Sequence, residues 1–172
     1  MRKFSRVPCN AVRSRGLLLA ALALSVLGAC GWRLQGISRL PEVMSVTYLD
    51  SADRYSDFNR ALSASLTASG ARMTSNRNEA TAIVKIRKDE SGQRMLPVSA
   101  RNTLEEYEVF YTVEYSVDGR NGELIPLQTL QLTRDYSYDR TAALAKQREQ
   151  AVLREALARD LAGLVIRRVA SL

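Results

Sequence analysis

Histidine is absent from all 172 residues, and cysteine occurs only at positions 9 and 30. The first absence removes the side chain that titrates near neutral pH and serves most often as general base and metal ligand. With thiols confined to the first thirty residues, Cys/His, Ser/His/Asp and ordinary zinc chemistry are excluded downstream. An internal disulfide is excluded as well, so stability has to come from packing. Long apolar runs are also missing. The clearest, Gly16 to Leu27, is twelve residues, against the roughly 20 that a membrane-crossing helix needs.

What stands at the N-terminus is a targeting segment. Arg2, Lys3, Arg6, Arg13 and Arg15 precede the apolar run with no acidic residue among them, and the run ends in small residues, the layout of a secretory signal peptide. Leu27-Gly28-Ala29-Cys30 resembles the bacterial lipobox, in which small residues admit a peptidase and the thiol takes a diacylglycerol. Cys30 is therefore the expected lipidation site. Two or three acyl chains hold a protein to a bilayer far better than one, at about 0.8 kcal/mol per buried methylene. By resemblance to lipoproteins generally, Gly31 after the cysteine, rather than Asp, points to export onward to the outer membrane, facing the periplasm. The expected organisation is a cleaved signal over 1–29, a lipidated tether over 30–42 and one domain over 43–172. Cleavage leaves 143 residues, and because the discarded segment holds five basic residues, the net charge falls from +7 to +2. A charge that small lacks the footprint nucleic acid demands.

The mature chain predicts a β-α-β-β-β-α order. A first strand is expected over Val43 to Leu49, with Met44, Val46 and Tyr48 on one side. Ser56 then reads as a helix N-cap, with Asp57 complementing the helix start and Gly70 ending a helix of about fourteen residues. A second strand is expected over Thr81 to Lys88, followed by an irregular stretch from Asp89 to Asn102 that contains Pro97. The third strand is the plainest signal. From Tyr107 to Val117 the odd positions alternate Tyr and Val while Glu106, Glu108, Phe110, Thr112, Glu114 and Ser116 fill the even ones, a half-buried strand by its period of two. A turn at Asp118 to Gly122 leads to a fourth strand over Leu124 to Tyr138, and a long helix over Thr141 to Val169 carries a Leu153, Leu157, Leu161 stripe. The expected fold class is α+β, a two-layer sandwich with a four-stranded, mostly antiparallel sheet and two helices on one face.

Three groups of residues carry chemistry. Glu106, Glu108 and Glu114 could form a glycosidase-like pair, but Lys85, Arg87 and Arg134 offer cross-strand partners, so a solvated ionic face is the favoured reading. Arg94, Arg101, Arg134 and Arg140 lie in or beside loops and strand ends, and their guanidinium forks match phosphate. Tyr107, Tyr111, Tyr115, Tyr136 and Tyr138 are read as core or interface. No catalytic residue, cofactor or metal site is expected.

Several segments, in order, resemble the LptE (RlpB) family of outer-membrane lipopolysaccharide-assembly lipoproteins. They are Cys30-Gly31-Trp32 with Arg33-Leu34; Leu49-Asp50-Ser51; Arg101-Asn102 ahead of Glu106-Tyr107; and Ala143-Leu144-Ala145-Lys146 with Glu149-Gln150. The resemblance implies a sheet of four strands on two helices and a partner, the β-barrel LptD, which members plug and help to assemble while binding lipopolysaccharide. It also implies that Arg101 and Arg134, and more weakly Arg94, lie near lipopolysaccharide phosphates, with the Pro97 loop pointing into the barrel. The alternative is a stand-alone periplasmic lipid-handling or transporter-accessory lipoprotein.

Overall fold

The computed structural model describes residues 39–96, 105–138 and 143–172. The lipobox with Cys30, Pro97, Arg101 and Arg140 lie outside the described residues. The described residues are arranged around β4 (Glu105–Gly119), whose alternation makes one face almost wholly apolar. Tyr107, Val109, Tyr111, Val113, Tyr115 and Val117 are all buried. Its neighbours run antiparallel to it: β3 (Ala82–Met95) on one side and β5 (Gly122–Tyr138) on the other. Gly119 sits opposite Gly122, so Arg120 and Asn121 close the hairpin, and Gly122 adopts φ +134°, a conformation that disfavours any other residue.

Two further strands extend the sheet beyond β3. β1 (Val46–Ser51) runs parallel to β3, reached through the helix α1 (Asp57–Ala68). β2 (Arg72–Met73) lies parallel to β1 at the edge, giving the order β2-β1-β3-β4-β5. α1 forms where sequence chemistry dictates. The Ser56 hydroxyl accepts from the Asn59 N–H at its start. At its end, Gly70 (φ +98°) lets the Ala71 N–H reach the Leu66 carbonyl and the Gly70 N–H reach that of Thr67.

The last helix, α2 (Ala143–Val169), lies with α1 over the same sheet face. Phe58, Leu62 and Leu66 of α1 and Leu157, Leu161, Val165 and Val169 of α2 join Val84, Val109, Val113 and Tyr115 in one buried cluster. Burial of each large aliphatic side chain contributes about 1.5–3 kcal/mol. The fold is α+β, a two-layer sandwich as expected, with five strands in place of four. The extra strand is two residues long, too short to show any period.

Three expectations are corrected. β1 begins at Val46, after a 3-10 turn over Glu42–Met44, and its buried residue is Thr47, not Val46 or Tyr48. The Thr47 hydroxyl donates to the Met44 carbonyl at 2.8 Å, which satisfies it in the core. β3 does not stop at Lys88 but runs to Met95, because a bulge between Ile86 and Lys88 shifts its phase by one residue. Before the bulge Lys85 faces away from the helices, and after it Lys88, Glu90, Gly92 and Arg94 do. Pairing with β4 then overrides the poor strand propensity of Asp-Glu-Ser-Gly.

Candidate functional site

The sheet face away from the helices is polar and bound together by ion pairs. Lys85 pairs with Asp118, Lys88 with Glu90 at 3.1 Å, and Arg94 with Glu108 at 2.5 Å. Phe110 is an apolar member of this face, and its ring lies over Gly92, where a Cβ would come within 2.6 Å of the ring. Of the β4 carboxylates, Glu108 and Asp118 are engaged in the manner of a solvated ionic face, whereas Glu106 and Glu114 meet no cation among the described residues. Arg134 is not among their partners. It stands in register with Val109, which turns it toward the helices, and its Nη2 donates to Asp160 of α2 at 2.7 Å.

The two described candidate arginines are consequently not brought together. Arg94 and Arg134 occupy opposite faces of the sheet, each about half exposed and each already paired with a carboxylate. Arg94 stands in a row with Glu108 and, one strand further, Asp135, and of these acids it pairs with Glu108.

On the helix face the same distal part of the sheet is built from tyrosines. The rings of Tyr107 and Tyr136 stack at 5.8 Å with 27° between planes, and the Tyr136 hydroxyl donates to Gln93 at 2.9 Å. Tyr111 is tied into the start of α1. Its hydroxyl donates to Asp89 Oδ1 at 2.7 Å and accepts from the Phe58 N–H at 3.2 Å. Ser56 donates to the other oxygen of Asp89 at 2.5 Å, and Arg154 of α2 reaches Asp57 at 2.6 Å. Burial, then the Asp89 carboxylate, push the Tyr111 phenol far above its ordinary value, and burial likewise raises Tyr115. Both stay neutral at physiological pH, Tyr111 as a hydrogen-bonding core residue and Tyr115 as a packed one.

The family model for LptE, lipopolysaccharide-assembly, matches residues 44–169, the whole α+β unit except its margins. The chain belongs to the LptE family. It is 27% identical over 161 residues to the LPS-assembly lipoprotein LptE of Pectobacterium atrosepticum, covering 88% of this chain and 83% of that one. With the LPS-assembly lipoprotein LptE of Yersinia enterocolitica it shares 25% identity over 155 residues, 89% of this chain and 74% of the other. Among solved structures, the solution structure of lipoprotein B from Nitrosomonas europaea superposes with a TM-score of 0.66 at 24% identity, covering 82% and 91% of the two chains. The crystal structure of rare lipoprotein B from Shewanella oneidensis gives 0.63 at 25%, covering 73% and 94%.

Relative to the LptE fold, the sequence pattern located the aromatic face and the α1 cap but missed the Asp89–Tyr111 contact. Those residues are 22 positions apart, and no local spacing signals their meeting. Among the described residues no helix is long and apolar enough to cross a membrane, and no group of three or more acidic residues is placed to hold a metal.

Proposed function

We propose that this chain is a lipid-anchored, non-enzymatic subunit of the outer-membrane lipopolysaccharide-assembly machinery, docked on the periplasmic side. In this reading residues 1–29 are a cleaved signal peptide, Cys30 carries the acyl chains, and residues 30–42 are the tether. The domain plugs and helps to assemble the β-barrel LptD and binds lipopolysaccharide during its insertion into the outer leaflet. The observation that carries the reading is the LptE family match across nearly all of the folded unit. The ion-paired open face supports it, since the lumen of an outer-membrane barrel is polar.

For lipopolysaccharide phosphates we propose Arg101 and Arg134, with Arg94 the weaker member because Glu108 already holds it and Asp135 lies one strand further in the same row. The stand-alone lipid carrier would need an apolar cavity, whereas the space between sheet and helices is filled by the buried cluster around Val109, Leu161 and Phe58.

The deciding experiment is affinity capture of the lipidated chain from detergent-solubilised outer membranes, with the captured barrel identified by mass spectrometry. Recovery of LptD in stoichiometric amount is expected. Its absence from a preparation in which the chain itself is folded and acylated would overturn the proposal.

A further inference from the structure

β2 covers the outer edge of β1 only along Val46 and Thr47. The Thr74 N–H closes on the Thr47 carbonyl at 3.1 Å, and the chain then turns away. Beyond that point an open groove of about 410 Å³ lies between β1, α1 and the segment after β2, walled by Tyr48, Leu49, Arg54, Asn59, Ser63 and Met73 among others. The alternation that sends the Thr47 carbonyl toward β2 sends the peptide groups of Leu49 the same way, past the end of that strand.

One side chain in this wall has an unpartnered donor, and another is a cation without a carboxylate. Asn59 is only 6% exposed, yet its Nδ2 has no hydrogen-bond acceptor. Buried amides in native structures almost always have one. Arg54 meets no carboxylate among the described residues, and its guanidinium contact is the Tyr48 hydroxyl at 3.5 Å. The composition of the wall differs from that of the other cavities. The one at the start of α1 contains Asp53, Asp57 and Asp89, and the one beside the β4–β5 turn contains Glu42 and Glu123. No acid lines the groove at β1; at its rim the Glu79 carboxylate is occupied by Thr74 Oγ1 at 3.4 Å and Asn76 Nδ2 at 3.0 Å.

We infer that this groove is a binding site for a small oxyanion, a phosphate monoester or carboxylate bearing a short apolar substituent. The Arg54 fork donates to two of its oxygens, the Asn59 amide donates from the buried wall, and Leu49 and Met73 accommodate the carbon body. The site lies toward the opposite edge of the sheet from Arg134 on β5. It goes beyond the lipopolysaccharide reading and stands whether or not that reading holds.

The test is an NMR titration of the full chain, purified in detergent and labelled with 15N, following the Asn59 side-chain amide. Inorganic phosphate and phenyl phosphate are the probes. A saturable shift is expected at millimolar concentration, tighter for phenyl phosphate, weakened roughly tenfold or more in Arg54→Gln, the scale of a lost charged hydrogen bond. Arg167→Gln, on α2, should leave it unchanged. Asn59→Ala should remove binding. Should that variant not fold, the exposed Arg54→Gln decides alone. No saturable shift with either probe, or an equal response in Arg54→Gln, overturns the site. Sedimentation with phosphatidylglycerol vesicles, against phosphatidylcholine, separates the sources: Arg54-dependent binding to the anionic vesicles identifies a lipid headgroup, and its absence alongside a phosphate response identifies a soluble anion. Capture of the barrel from membranes is unaffected by any of these results, so the two readings fail separately.

Discussion

The two faces of β4 share one backbone and differ in almost everything else. On the helix side, Val109, Val113 and Val117 are fully buried among the leucines of α1 and α2. On the other, Glu108 and Asp118 are held by ion pairs to the long side chains of Arg94 and Lys85. Burial is worth kilocalories per side chain, whereas an exposed ion pair contributes about 0–1 kcal/mol. One face therefore fixes the fold, while the other can exchange its partners at small cost and is free to meet a second protein.

That asymmetry orders the effects of substitution. Leu161→Ala, which empties a fully buried position on α2, should destabilise by about 2–5 kcal/mol in urea unfolding. An effect below about 1 kcal/mol would mean the helix layer is not a close-packed core. Tyr111→Phe comes next, at about 2 kcal/mol, because it strands the buried Phe58 N–H and removes the donor to Asp89.

The same variant sharpens the comparison by pH. The folded Tyr111 phenol titrates above its ordinary value, so its stabilising contribution is complete below about pH 10 and is lost as pH rises from there toward the folded value. Wild-type stability should fall steeply above pH 10, and Tyr111→Phe should flatten that limb. Equal slopes would remove Tyr111 from the account.

On the open face the effects shrink. Gly92→Ala should cost about 1 kcal/mol, since its new methyl displaces the far end of the Phe110 ring. In a Phe110→Ala background that cost should vanish, as a double-mutant cycle would report. Arg94→Ala should be smallest, under about 1 kcal/mol in the same assay, because its side chain is 58% exposed. A loss of several kilocalories there would break the contrast between the faces.

What could be read from the chain followed from local chemistry. The Tyr-Val alternation gave β4 and its buried face outright, and Ser56 with Gly70 delimited α1, because caps and a period of two are written into neighbouring residues. β3 beyond Lys88 was not legible, since the bulge at Arg87 reverses the inward phase and a polar run looks irregular until β4 is beside it. The face of Arg134 was equally hidden. Its orientation depends on the register with Val109, and a hairpin with two irregularities near its turn does not transmit register from the sequence. The orphaned amide of Asn59 had no sequence signal at all, because an Asn in the first turn of a helix reads as solvated.

The contact between Arg154 and Asp57 joins residues 97 positions apart, and that separation sets a timetable. The β4–β5 hairpin closes through two residues and can form within about 1–10 μs. α1 and β1, by contrast, wait for the final helix of the domain before their apolar surfaces leave water. Assembly from the N-terminal side thus stays incomplete until α2 arrives, and the slow step is the long-range closure of this topology.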